Sequence, residues 1–152
     1  MATLNDPMIL RQIIMDHYDN PRNKSLVKDD DNYYSLRKNS DSCIDDITMQ
    51  VKFDKDIIAD VRFDGEACTI STASTSILTE QVINKTIDEA LEIIKNYKNM
   101  VFEKPYDADL VEEAIAFKNV GKQANRIKCA TIGYDALEEI INLYRGEKNN
   151  GK

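Results

Sequence analysis

The sequence predicts an α+β fold, a small antiparallel β-sheet of about three strands packed against several α-helices. Three observations lead there. Ile47, Met49, Val51 and Phe53 alternate with polar residues, and Ile57, Ala59, Val61 and Phe63 do the same beyond the charged turn Asp54-Lys55-Asp56. Later segments instead space their apolar residues three and four apart, the period of a helix with one buried face. Strand patterns come first and most helix patterns after, which is the order of an α+β chain and not of repeated βα units.

In chain order, Asp6-Pro7 predicts a helix start, with Asp6 as N-cap and Pro7 in the first helical position. Leu10, Ile13, Ile14, His17 and Tyr18 form its inner face, and Asn20-Pro21 ends it. Residues 22–38, with Asp29-Asp30-Asp31, read as an exposed polar connector. The hairpin follows. Asp64-Gly65 marks its exit, and a short third strand is expected through Cys68 to Ile70. From Ser71 onward Ile77, Leu78, Gln81 and Val82 predict a helix. Thr86-Ile87-Asp88-Glu89 is a capping box that opens another, with Ala90, Leu91, Ile94 and Tyr97 on its face. A short helix is expected over 108–117, then a polar link over 118–124. A long final helix carries Tyr134, Leu137, Ile141 and Tyr144, and fraying is expected after Arg145.

Size and charge narrow the function. The 152 residues suit one domain, 1–152, with enough chain to bury a core without disulfides. A formal charge of −7 argues against nucleic acid as a partner, because phosphate binding needs a basic face. No apolar run approaches the ~18 residues of a membrane span, so no membrane role is expected. The first residues lack a basic stretch followed by an apolar one, which predicts a cytoplasmic protein. There its three cysteines stand as thiols or metal ligands before they stand as disulfides.

Those cysteines carry the chemistry. The pattern after Ile132 places Cys129 in the first turn of the last helix, facing unpaired N–H groups and the positive end of the helix dipole, with Arg126 and Lys128 beside it. A small buried core cysteine has the same signature. Cys43 precedes the hairpin and Cys68 follows it, so paired strands bring them together. Asp45 lies two residues after Cys43, with Asp46 next to it. Three thiolates and one carboxylate make a tetrahedral zinc set, with sulfur at about 2.3 Å. There is no Cys-x-x-Cys pair, so spacing alone leaves scattered core cysteines as the other reading. His17, the only histidine, reads as structural on its apolar face.

Four blocks taken together are more specific. His17-Tyr18-Asp19-Asn20-Pro21-Arg22-Asn23, Cys43-Ile44-Asp45, Gly65-Glu66-Ala67-Cys68-Thr69-Ile70-Ser71 and Arg126-Ile127-Lys128-Cys129-Ala130-Thr131 occur in that order. In these the chain resembles the NifU/IscU-like family of iron–sulfur cluster assembly proteins, most closely the SufU type, over nearly its whole length. Lys128 stands where IscU-type proteins place a histidine, a Leu-Pro-Pro-Val-Lys motif is missing, and a longer segment, roughly 98–123, separates the last two cysteine blocks.

The resemblance implies an IscU/SufU-like fold. It also implies Cys43, Asp45, Cys68 and Cys129 as metal ligands, with Arg126 as the basic residue beside the site. It further implies a zinc-dependent sulfurtransferase that takes persulfide sulfur from a cysteine desulfurase of the SufS type, with Cys43 as the carrier, and passes it to downstream iron–sulfur assembly proteins. Such a protein is a partner of the desulfurase more than a stand-alone enzyme. The alternative is a scaffold that holds iron as a [2Fe–2S] cluster and transfers it to apo-proteins. One block departs from the family pattern: Asp41 replaces a proline and Ile44 a glycine. A β-branched residue resists positive φ, so the loop before Asp45 takes another path and Asp46 becomes an alternative ligand.

Overall fold

The computed structural model describes residues 6–39 and 44–149. The first helix, α1 (Pro7–Asp19), starts as its caps predict: the Asp6 carboxylate accepts the Met8 N–H at 2.9 Å, and Asn20 closes the C-terminus. It is followed by β1 (Tyr33–Asn39), β2 (Asp46–Asp54) and β3 (Ile57–Glu66), which form one antiparallel sheet in the order β1-β2-β3. The β2–β3 hairpin falls where the alternation predicts. A register shift at Lys52/Phe53, however, buries Ile58 and leaves Ile57 exposed and Ala59 half-buried, so the expected inner face holds only from Val61 onward in β3. Ile47, Met49, Val51, Ile58, Val61 and Phe63 are all buried on its inner face. Fully burying a side chain of that size contributes about 1.5–3 kcal/mol. Lys55 makes the turn at φ 57°.

The three-strand count holds, but the third strand lies elsewhere. It is β1, inside the segment 22–38 read as a polar connector, and not the stretch through Cys68 to Ile70. β1 is an edge strand whose apolar content is little more than Tyr34 and Leu36. The last helix holds it in place: Tyr34 packs edge-on against Tyr144 and hydrogen-bonds Glu147, and Lys38 pairs with Glu139 at 2.5 Å.

Beyond the sheet come α2 (Thr69–Val82), α3 (Ile87–Val101), the short α4 (Ala108–Val111) continued by 3-10 turns, and α5 (Ala124–Asn149). α3 opens with the predicted capping box, Thr86 Oγ1 accepting the Glu89 N–H and Glu89 accepting the Thr86 N–H. α5 is helical past Arg145 as far as Asn149. The polar link is shorter than expected, because Ala124 is already helical.

α2 is the central element. It packs against α1, α3, α5 and β3, and almost every residue from Ser71 to Val82 is buried. Such a helix has no solvent face and so little amphipathic pattern. Its small side chains let α5 come close: a Cβ on Gly133 would lie 3.0 Å from Thr75 Cβ and Cγ2 and nearer still to Oγ1. Deeper in the core Tyr97 and Tyr134 stack at 3.7 Å. Their hydroxyls donate to the Ala130 carbonyl (2.7 Å) and to Gln81 (2.9 Å), tying α3, α5 and α2 together.

Candidate metal centre

The ends of three elements meet beside the sheet. Asp45 is the residue before β2, whose first residue, Asp46, pairs with Glu66 at the end of β3. Gly65, at φ +130°, makes that closure fit, since a Cβ there would sit 3.0 Å from Ile47 Cα and closer to the Asp46 carbonyl. Two residues after β3 comes Cys68, with backbone angles φ −70° and ψ 171°, as N-cap of α2. Cys129 enters from α5 and is fully buried. One carboxylate oxygen of Asp45 and the sulfurs of Cys68 and Cys129 all lie within 4.8 Å of one another.

Two expectations change here. Cys68 is an N-cap and not a strand residue. Cys129 is the sixth residue of α5, because the helix starts at Ala124 and not near Cys129 itself. Free N–H groups belong to the first turn of a helix. The helix end that faces this cluster is therefore that of α2, where the Ser71 N–H donates to the Cys68 sulfur at 3.5 Å.

Asp45 is 1% exposed, and a carboxylate so buried must be paired or hydrogen-bonded. Oδ1 accepts the Cys68 N–H at 2.8 Å, and Oδ2 accepts the Ser71 hydroxyl. Oδ2 also lies 4.0 Å from the Cys68 sulfur. The N-terminus of α2 thus supplies two donors and a favourable dipole to one anion. Asp46, the alternative ligand, points away: it accepts two hydrogen bonds from Arg37 of β1, at 2.8 and 2.6 Å, and that guanidinium holds its carboxyl below the usual range. Ile44 is 69% exposed, while the next residue, Asp45, is turned inward.

Cys43 lies outside the described residues. Arg126 is exposed in the first turn of α5, one turn before Cys129. His17 takes no part in the cluster. It is 1% exposed, with Nδ1 2.8 Å from Ser76 Oγ. Ser76 Oγ also accepts the Arg22 N–H, and the Nε2 side of the ring faces Glu80 (3.8 Å) and Glu113 (3.7 Å). Asn23 likewise reaches Thr79, and its carbonyl accepts the Phe63 N–H. The His17–Asn23 block therefore clasps α1 to α2 and β3, which is a structural role. Sequence reasoning gave no part to Ser71, although Cys68-x-x-Ser71 has the spacing of an N-cap and its N3 partner.

Two thiols and a carboxylate are a donor set that suits zinc, and equally iron held by thiolates. In a tetrahedral zinc site two sulfurs stand about 3.8 Å apart. The observed 4.8 Å limit is close to that, so the three groups fit a single small metal. Among the described residues no helix is long and apolar enough to cross a membrane.

The fold and the cluster have counterparts. Residues 9–151 match the NifU-like N terminal domain. The zinc-dependent sulfurtransferase SufU of Bacillus subtilis (strain 168) is 40% identical over 134 residues, covering 88% of this chain and 89% of that protein. The iron–sulfur cluster assembly scaffold protein IscU of Streptococcus pyogenes serotype M1 is 38% identical over 131 residues, 85% of this chain and 80% of its own. Among solved structures, a putative scaffold protein for the SUF system from Fervidobacterium islandicum AW-1 superposes with TM-score 0.76 at 36% identity, covering 84% of this chain and 92% of that one. With nearly its full length matched, this chain belongs to the NifU-like N-terminal domain family of iron–sulfur cluster assembly proteins.

Proposed function

We propose that the protein is a zinc-dependent sulfurtransferase that accepts persulfide sulfur from a cysteine desulfurase and hands it to cytoplasmic iron–sulfur assembly. The observation that carries this reading is the Asp45–Cys68–Cys129 cluster, buried on one side and half-open at Cys68. The likeness to a relative named for zinc-dependent sulfur transfer supports it. Zinc, when bound, supplies a redox-inert centre that holds thiolates deprotonated. Asp45, Cys68 and Cys129 are the ligands on this reading, and Cys43 completes the set and carries sulfur. The Cys43 thiolate attacks the outer sulfur of the desulfurase persulfide, forming a Cys43 persulfide and releasing the desulfurase cysteine as thiolate. Three thiolates and a carboxylate exceed the charge of zinc by two, and Arg126, one turn from Cys129, offsets part of that excess.

The second reading is a scaffold for a [2Fe–2S] cluster, favoured by the relative named as a scaffold and by the same thiols. Two measurements decide. Protein purified without oxygen should contain one zinc and no sulfide. Peptide mass spectrometry after incubation with a SufS-type desulfurase and cysteine should place the added sulfur on Cys43. Iron with equimolar sulfide and visible absorbance would establish the scaffold instead. Sulfur on Cys129, or none on any cysteine, would remove the transfer reading.

A further inference from the structure

We infer that Ser71 is a positioning residue of this centre, its hydroxyl clamping Asp45 against Cys68 so that the donor set is assembled before a metal enters. The inference rests on the metal-centre reading above and adds a residue to it.

Ser71 touches both groups. It is fully buried at the third position of α2. Its backbone N–H donates to the Cys68 sulfur (3.5 Å), its hydroxyl donates to Asp45 Oδ2, and the same oxygen stands 3.3 Å from that sulfur. In a capping box the N3 side chain reaches back to the N-cap N–H. A serine is too short for that. Here Asp45, from another element, accepts the N-cap N–H of Cys68 at 2.8 Å, and Ser71 holds Asp45. The helix start and the ligand pair are therefore one hydrogen-bonded unit.

Two consequences follow from the geometry. Oδ2, the oxygen that Ser71 orients, stands 4.0 Å from the Cys68 sulfur, so the hydroxyl sets the spacing of carboxylate and thiol. And because both carboxylate oxygens of Asp45 accept donors from the start of α2, its placement is coupled to that helix start. Without the hydroxyl, the carboxylate loses the hydrogen bond that holds Oδ2 beside the Cys68 sulfur. A hydroxyl-to-carboxylate bond is among the stronger protein hydrogen bonds, and groups that orient a metal ligand in this way are worth about 10–100-fold in metal affinity.

The test is a cycle read by zinc affinity in competition with a chromogenic chelator. Ser71→Ala should weaken zinc about 10–100-fold in the otherwise unchanged protein. In an Asp45→Ala background the same change should cost less than about threefold, since there is no carboxylate left to orient. Ser74→Ala removes a neighbouring buried hydroxyl that bonds the Ser71 carbonyl and Tyr97, and should leave affinity unchanged. Ser71→Thr keeps the hydroxyl and should retain zinc, which keeps the test open if the alanine variant does not fold. Equal losses in both backgrounds, equal losses from Ser74→Ala, or a folded Ser71→Thr without zinc would each overturn the assignment. Cys68→Ala and Cys129→Ala run alongside. If those two retain zinc, the metal centre itself is wrong; if they lose it while Ser71→Ala does not, only the role of Ser71 is wrong.

Discussion

Two adjacent aspartates face opposite ways, and that makes a sharp prediction. Asp45→Ala should weaken zinc binding, while Asp46→Ala should leave it as it was. Asp45 is buried beside both cysteines, whereas Asp46 is half-exposed and occupied by Arg37. Loss of a group that merely orients a ligand costs about 10–100-fold in affinity, so loss of the ligand should cost at least that. With zinc in excess, stabilisation follows the logarithm of concentration over Kd, so tenfold weaker binding removes about 1.4 kcal/mol and hundredfold about 2.7 kcal/mol. A chain of this size moves about 2–4 °C in Tm per kcal/mol. The rise in Tm on going from chelator to zinc should therefore shrink by about 3–11 °C in Asp45→Ala and be unchanged in Asp46→Ala. Taking the difference within each variant removes the separate cost of stranding the Cys68 N–H and the Ser71 hydroxyl. Scanning fluorimetry with zinc or with chelator reads it. Equal shifts in the two variants, or a larger one in Asp46→Ala, would refute the geometry described for the β2 entry.

Two further outcomes follow from the packing. Gly133→Ala drives a methyl group into Thr75, an overpacking change that should cost about 1–3 kcal/mol, or roughly 2–12 °C in Tm, and Thr75→Ala in the same chain should recover part of the loss. An unchanged Tm in Gly133→Ala would mean that α2 and α5 are not in contact there. His17 gives a pH dependence: burial lowers its pKa from the ordinary 6.5, Arg22 acting in the same direction and Glu80 and Asp16 opposing. The unfolded chain then binds a proton that the folded one refuses, so the contribution is present above about pH 6.5 and is lost as the pH falls toward the depressed value. In urea titrations His17→Asn should show a shallower loss of stability between about pH 7 and 5 than the parent, and identical slopes would locate the acid sensitivity elsewhere.

What could be read from the chain, and what could not, divides along one physical line. Asp6-Pro7, the capping box at Thr86–Glu89 and the β2–β3 alternation are local: each signal and the structure it specifies lie within a few residues. β1 is not local. Its apolar signal is little more than Tyr34 and Leu36 among polar residues, and it becomes a strand because β2 offers an edge and α5 supplies Tyr144, Glu139 and Glu147 to cover it. The start of α2 was misread for a related reason. Thr69 and Ile70 favour strands, and the run of serine and threonine after them has modest helix propensity. Hydroxyls that weaken an isolated helix are here bonded from outside it, Ser71 by Asp45, Ser76 by His17 and Arg22, and Thr79 by Asn23.

That composition has a cause at the candidate site. Cys68 and Cys129 sit near the starts of α2 and α5, and their sulfurs approach only if the two helices pack closely along the turns that follow. Gly133 against Thr75 is one such close contact. Leucine at Thr75 would strengthen α2 by propensity and apolar burial, yet would press on Gly133, move α5 outward and pull the Cys129 sulfur from the 4.8 Å cluster. A sequence pattern that seems wrong for a core helix is thus what the spacing of the ligands requires. The resemblance of four short blocks singles out Asp45, Cys68 and Cys129, which the structure brings together, whereas the hydrophobic periodicity of α2 and α5 taken separately does not.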